Sequence, residues 1–523
     1  MADDDILGAD PAIRVSSGGP NRSGGRELLS AAHEAASETA VAEVGSTGVP
    51  ALEPLVLATA DGESAFFSRC PPERVGSIVE TLEAGELPTE GVMAVVKHEP
   101  GTSRLPRPAN GPLSVGTRTV LGTCGWAVPT SPEDYPADGF IASEIGDSNE
   151  AIAQVAEAKL RGRGRGDAAA DVPIADRWEL AREAAGEAAI VINANEADRR
   201  ATTDRVLLES APLAVLDGAL AAGRALDATN ILVYCNEADE LAQERAAEAA
   251  AVLEDELEEG ISIEVLAGPD EYKAGEATMA IEALEGNHRL EARLRPPYPS
   301  EEGLHGRPTL VHTPRTLVQV GEILADGDSS SSEGSSATGT RLFSVASEGD
   351  VSGDDETSAP TTVELAAEED LATAREAIEF DGHLKAACVG GVFGGLTRTL
   401  DVPARANALR AAGLGTNGVI ELFGEEECMV AFAGNRAVFG EEENCGRCVP
   451  CREGTQQLTN LLREVYHGEY ESEGIRELLR VMDTTSICSF GRDASRPTRT
   501  AIEAFETEFR AHANGRCPAG VCK

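Results

Sequence analysis

Apolar positions recur along this chain in two registers, and the switches between them mark its parts. Short apolar runs predict strands at 55–58 and 65–67, separated by an Asp61–Gly62 turn. Pro71 and Pro72 then open a predicted helix that runs to Glu83, since a proline loses nothing in a first turn. Over 149–159, Ile152, Val155 and Ala156 share one helical face. Strand and helix patterns then alternate: strand 188–192, helix 207–226, strand 230–235, helix 237–258, strand 262–265. Such alternation predicts a parallel α/β sheet. Further strands are predicted at 118–121 and 339–345. Near the end, three sets recur at helical spacing: Leu458, Leu461, Leu462 and Val465; Ile475, Leu478, Leu479 and Met482; and Ile502, Phe505 and Phe509. Each set makes one apolar stripe, and together they predict a helical bundle.

Breakers divide this pattern. Glycines and serines at 16–20 and 23–25 predict a flexible head over 1–48, with helical tendency only at 26–44. A serine-rich stretch at 326–340 predicts a linker. At 523 residues the chain has room for about three or four domains.

Charge narrows the partners. Asp and Glu number 90 against 44 Lys and Arg, a net charge of −46. That balance argues against nucleic acid or an anionic membrane as a partner. It suits a halophilic chain in a salt-rich cytoplasm, where screening is strong. No apolar run is long enough for a membrane-spanning helix, so no direct membrane insertion is expected. The acidic N-terminus lacks the order of a signal peptide. The expected location is cytoplasmic, with any membrane association made through partner subunits.

The chain has 11 cysteines, which in a cytoplasmic protein point to metal rather than disulfides. Cys445, Cys448 and Cys451 stand at C-x2-C-x2-C spacing, and Cys488 follows in Ser486-Ile487-Cys488-Ser489-Phe490-Gly491. Three closely spaced thiolates and a distant fourth are a ligand set for a [4Fe-4S] cluster. Gly446 lets the loop curl, Pro450 stiffens it, and Arg447 and Arg452 favour thiolates. Zinc is the competing metal, but its structural sites usually come as two C-x2-C pairs or as Cys/His mixtures. A disulfide is the third reading. Cys70, Cys235, Cys388 and Cys428 read as core thiols, and Cys517 and Cys522 as a remnant that cannot hold a cubane alone.

The run from Glu443 to Gly454 resembles the E-S-C-G-x-C-x-P-C-R-x-G motif of the NADH-binding flavoprotein subunit of respiratory complex I. Relatives of that subunit occur in NAD-linked hydrogenases and formate dehydrogenases. Further stretches resemble the same family: Arg161-Gly162-Arg163-Gly164, Asn193 with Glu196, Asp204 and Arg205, Tyr272 with Gly275 and Glu276, and the run 303–309. The resemblance implies an α/β chain with a parallel-sheet flavoprotein domain, a small β-grasp module and a C-terminal helical bundle carrying the iron–sulfur cluster. It implies boundaries of 1–48 (head), 49–110 (remnant thioredoxin-like module), 111–325 (flavin/NADH-type domain), 326–400 (linker and β-grasp) and 401–523 (cluster domain). FMN and NADH are the implied ligands, at Gly162, Gly164, Asn193, Glu196, Tyr272 and Glu276. Other subunits of a redox complex are the implied partners. The implied function is electron relay through one [4Fe-4S] cluster in an NADH:acceptor (quinone-type) oxidoreductase; the alternative is a non-catalytic iron–sulfur electron-transfer or assembly subunit that has lost FMN and NADH binding.

The flavin motifs depart from the family pattern. Arg165 and Asp167 interrupt the glycine loop, Asn195 replaces a carboxylate, and Arg199 and Arg200 replace proline and glycine. His312 and Thr313 stand where the family has two asparagines. These changes predict a site weakened or lost, with Arg199 and Arg200 crowding the pocket. The other reading is a site remodelled for another nucleotide or flavin contact.

Overall fold

The computed structural model describes residues 6–18, 22–135, 139–257, 261–325, 339–347 and 359–522. The predicted linker falls almost wholly outside them.

The first unit is a five-stranded sheet of order β2-β1-β3-β4-β5, formed by Ala12–Ser16 (β1), Ala40–Val44 (β2), Leu55–Ala60 (β3), Glu63–Ser68 (β4) and Ala94–Lys97 (β5). Two helices, Arg22–Ala35 and Pro72–Glu83, pack together against it. Over these residues the head therefore forms part of this sheet, which runs across position 48. Its helix ends at Ala35, and the next element is strand β2 instead of more helix. The reason is a buried arginine. Arg14 sits mid-strand, donates to the carbonyls of Trp126 (3.0 Å) and Ile6 (2.6 Å) and to Thr59 Oγ1 (3.1 Å), and lies over the Trp126 ring. Each guanidinium bond offsets the cost of burying that charge. Cys70 is buried in this unit's core.

The second unit holds the predicted parallel sheet: Ala189–Ala194 (β6), Asn230–Asn236 (β7), Ser262–Gly268 (β8) and Thr309–His312 (β9), in order β8-β7-β6-β9. All three pairings are parallel. β6 is buried at every residue, as a strand covered on both faces must be. The helix expected over 207–226 is two helices, Thr203–Ser210 and Pro212–Ala225, bent by 99° at the proline. The expected strand at 118–121 is a turn. Its Val120 and Leu121 N–H groups donate to the buried Glu364 carboxylate instead of to a neighbouring strand (2.9 and 3.3 Å).

Thr340–Ser347 (β10), Thr361–Ala366 (β11), Ala386–Val389 (β12), Gly395–Thr397 (β13) and Val419–Phe423 (β14) form a third sheet, of order β11-β10-β14-β12-β13. Because β14 lies inside it, this module extends past the expected limit of 400. Four helices complete the fold: Met429–Glu443, Val449–Tyr466, Ser472–Thr485 and Ser489–Ala513. Leu458, Leu462, Val465, Ile475, Leu479, Met482, Ile502, Phe505 and Phe509 are buried together as the periodicity predicts, while Leu461 and Leu478 are only partly covered. At roughly 1.5–3 kcal/mol for each fully buried large apolar side chain, this stripe is what holds the bundle. Among the described residues no single helix is long and apolar enough to cross a membrane.

Candidate metal centre and flavin-type site

Chain geometry gathers the four motif cysteines at the top of the bundle. Cys448 is the N-cap residue of the 449–466 helix, and Pro450 lies in its first turn. Cys488 is the N-cap residue of the 489–513 helix. Two helix starts therefore aim free N–H groups and positive dipole ends at one place, where a thiolate-ligated cluster carries negative charge. Cys445 and Cys488 pack against Met279, Leu290 and Ala292, whereas Cys451 and Cys448 face the bundle core. Gly446 adopts φ 75°, the left-handed conformation that curls the loop between Cys445 and Cys448.

Hydrogen bonds fix this loop. Asn444 Oδ1 accepts from the Gly446 N–H (3.0 Å), and Arg452 donates to the Gly446 carbonyl (2.7 Å). Arg447 donates to the Ala292 carbonyl. Gly491 is required because a β-carbon there would lie 2.1 Å from Ser486 Oγ and 3.3 Å from Cys451 Cβ. Burial, then the Glu276 charge, pushes the Cys488 thiol up to about 12, and burial followed by its three sister thiols pushes Cys451 higher still. Four thiols gathered at one place, Cys451 buried and Cys445, Cys448 and Cys488 half-buried, suit iron, whose positive charge displaces their protons. The residues fit a [4Fe-4S] cluster.

The flavin-type residues also converge, but on a filled space. Gly162 and Gly164 lie on the loop between the helices Ser148–Ala158 and Ala175–Glu183; a β-carbon on Gly162 would lie 2.3 Å from Asp167 Oδ1, and one on Gly164 2.8 Å from the Arg315 guanidinium. Asn193, near the end of β6, donates to the carbonyls of Gly166 (2.9 Å) and Gly275 (3.2 Å). Glu196 accepts from Thr203 Oγ1 (2.9 Å) and from the N–H groups of Asp204 (3.0 Å) and Arg205 (3.3 Å). Tyr272 is buried, with Arg165 stacked on its ring and Phe393, Phe439 and Phe490 edge-on around it. Glu276 caps the helix Ala277–Leu284 and is ion-paired with Arg295. Burial would raise the Glu276 carboxyl, but Arg295 and the Thr278 donors outweigh it and hold it below its usual value.

Arg315 occupies the centre of this group. Its guanidinium bonds Asp204 (2.5 and 3.0 Å), Glu196 (3.2 Å) and the Asn417 carbonyl (3.1 Å). The space left among Asn193, Glu196, Asp204, Tyr272 and Arg315 is a cavity of about 40 Å³. That volume suits a water or so, while ligand pockets run to hundreds of Å³.

The sequence named different culprits. Arg199 points into solvent toward Asp270, and Arg200 pairs with Glu421 and Asp198, away from the pocket. Arg315 went unnoticed because it follows the missing asparagines by only two residues and reads as an ordinary helix-start arginine. His312 is likewise committed elsewhere: it accepts from Trp178 Nε1 (3.0 Å), so its Nδ1 carries the proton given to Asp167 (3.1 Å).

A second cavity, of about 680 Å³, opens between the parallel-sheet unit and the bundle. Arg165, Arg177, Arg295, Arg410, Arg492, Arg496 and Arg499 line it together with Asp167, Asp171, Glu276, Asp483 and Asp493, and it reaches Cys488.

Comparison with known proteins agrees with this layout. Residues 155–322 match the Nuo51 FMN-binding domain, and residues 431–512 match the NADH-ubiquinone oxidoreductase-F iron–sulfur binding region. The NADH-quinone oxidoreductase F subunit of Aquifex aeolicus is 30% identical over 69% of this chain and 86% of its own length. The corresponding F subunit of Streptomyces coelicolor is 32% identical over 72% of this chain and 86% of its own length. The HndC subunit of the NADP-reducing hydrogenase of Solidesulfovibrio fructosivorans is 28% identical over 77% of this chain and 85% of its own length. An NAD+-reducing [NiFe]-hydrogenase crystal structure in the air-oxidised state superposes with a TM-score of 0.62 at 25% identity, covering 96% of this chain and 85% of the other.

Proposed function

Because this chain belongs to the family of NADH-quinone oxidoreductase F subunits, we propose that it is an electron-relay subunit in which the family's hydride chemistry has been closed off. Its Cys445, Cys448, Cys451 and Cys488 hold one [4Fe-4S] cluster, and FMN and NADH do not bind at the family position. When bound, such a cluster supplies one-electron transfer, with burial and hydrogen bonds setting its potential. The chain's own contribution is to hold four thiolates, aim two helix N-termini at them, and keep water off with Tyr272, Phe393 and Phe490. Electrons arrive from and leave to partner subunits of a redox complex.

One observation carries this reading: the Arg315 guanidinium lies between Glu196 and Asp204, where the family's flavin motifs converge. A second reading is favoured by the arginine-lined cavity beside Cys488. There an anionic redox ligand would reach the cluster past Arg165 and Glu276, which this cavity shares with the flavin-type group.

The test is anaerobic purification in high salt, with iron and flavin assays and absorbance spectra before and after NADH. The expected result is iron near four per chain, no stoichiometric flavin, no bleaching by NADH and bleaching by dithionite. Stoichiometric FMN with bleaching by NADH would overturn the proposal. A bound non-FMN chromophore would favour the second reading.

A further inference from the structure

The last residues of the chain return to the bundle far from the motif cysteines. Cys517 and Cys522 come to lie beside Cys428 and His512, and the four ligand atoms are all within 4.8 Å of one another. Cys428 and His512 are buried, and the two tail cysteines are partly covered. The set is drawn from three separate places: the N-cap of the 429–443 helix, the last turn of the 489–513 helix, and the tail. The sequence-based assignments of Cys428 as packing and of the tail pair as a remnant treated these residues separately. The fold makes them one Cys3His group.

We infer that Cys428, His512, Cys517 and Cys522 bind a structural zinc ion that clips the C-terminal tail to the helical bundle. Three details of the geometry point to a metal. His512 Nδ1 donates to the Glu508 carbonyl (2.9 Å), which leaves Nε2 with its lone pair facing Cys428 Sγ at 3.4 Å. That is how metal-ligating histidines are usually oriented. Cys517 lies in a turn whose Cys522, Val521 and Gly520 N–H groups face its sulfur, as they would face a metal-bound thiolate. Lastly, the tail from 516 to 522 has neither helix nor strand to hold it in place. Its described backbone bonds are a helix-end turn, Arg516 N–H to Ala511 (3.0 Å), and one internal turn, Gly520 N–H to Cys517 (3.2 Å).

Zinc is the metal these donors suit. Structural zinc sites are tetrahedral and closed, Cys3His is among their common ligand sets, and bond lengths of about 2.0–2.3 Å put ligand atoms roughly 3–4 Å apart. Side-chain shifts of about 1 Å bring the present group to that spacing. On binding, Zn2+ displaces the proton of each cysteine that is still a thiol, and these protons leave to solvent. No electron moves. A cubane is not accommodated here, because it needs its four ligands spread around a larger object than one ion.

The test counts zinc and iron together in the full chain, purified anaerobically, and compares a Cys517→Ser/Cys522→Ser variant. Wild type is expected to hold one zinc per chain alongside the cluster iron. The variant is expected to lose the zinc and keep both the iron and the cluster spectrum, since the tail is remote from Cys445 to Cys488. His512→Ala gives a second reading from a different element, with circular dichroism confirming that the bundle folds. Cobalt substitution of wild type is expected to give thiolate-to-cobalt charge-transfer and tetrahedral d–d bands that the serine variant lacks. Wild type without zinc or cobalt binding overturns the inference, as does zinc retained in both variants. A Cys517–Cys522 disulfide in the anaerobic protein, or a fifth iron in place of zinc, overturns it equally. A failure here leaves the electron-relay reading untouched.

Discussion

Arg315 decides the character of the flavin-type site, and its own energetics are testable. It is buried between two buried carboxylates, Glu196 and Asp204. Removing one member of such a group leaves charge without a partner, which typically costs about 3–5 kcal/mol. Arg315→Gln should therefore lower stability by roughly that amount in denaturant titrations. Adding Glu196→Gln and Asp204→Asn should recover most of it, because the repulsion disappears with the charges. A single Arg315→Gln that unfolds like wild type would show that the ion pairs are not formed. A second residue gives a pH signature. Glu53 is buried, and one of its oxygens accepts from Ser46 Oγ (2.8 Å), Thr47 N–H (2.7 Å) and Thr47 Oγ1 (2.9 Å). Burial nonetheless raises its carboxyl from 4.5 to about 7. The folded state thus holds a proton that the unfolded state has already released, so this group's contribution falls as pH rises from about 4.5 to 7. The shift corresponds to about 3 kcal/mol. Glu53→Gln keeps an acceptor oxygen and should flatten that part of the stability curve between about pH 5 and 8. An unchanged slope would assign the pH dependence elsewhere.

At the scale of elements, the cluster loop depends on how closely the second and fourth bundle helices approach. Gly491 is the contact point, since any β-carbon there meets Ser486 Oγ and crowds Cys451. Gly491→Ala should leave the helices folded while lowering iron per chain, with melting temperature and iron content measured on one preparation. Full iron retention would mean the loop has slack that the packing does not suggest. Elements with clean periodicity were legible from sequence: Leu458 to Phe509 gave the bundle stripes, and 188–192 the central buried strand. The head was not legible because Arg14 breaks the apolar run of β1, and only Trp126, Ile6 and Thr59, distant in sequence or outside the strand, satisfy it. The 118–121 turn was misread for a related reason: its apolar residues are buried, but Glu364 takes the N–H groups that a strand neighbour would have taken. The site divided in the same way. Cysteine spacing is a local signal and announced the cluster. Arg315 enters the site through bonds to residues more than a hundred positions away, and the Cys428–Cys522 group exists only once the tail has folded back.

For the whole molecule, the net charge of −46 must be reconciled with a compact fold. Several interior carboxylates are already neutralised: Glu421 pairs with Arg200 and Arg436, tying β14 to the parallel-sheet unit and to the bundle, and Asp171 pairs with Arg341 and Arg410. The unbalanced charge therefore lies mostly on the surface, where repulsion is long-ranged and sensitive to salt. The Debye length shrinks from about 10 Å at 0.1 M to about 3 Å at 1 M. If surface repulsion limits stability, the melting temperature should rise steeply over that interval and flatten above it. The buried pairs should be indifferent, because salt does not reach them. A control separates screening from the strengthening of apolar burial by excluded salts, since sulfate at matched ionic strength should then do no better than chloride. A melting temperature that is flat from about 0.1 to 1 M and climbs only at higher salt, more in sulfate than in chloride, would place the dependence in the core. The acidic surface would then not be what the fold needs salt to offset.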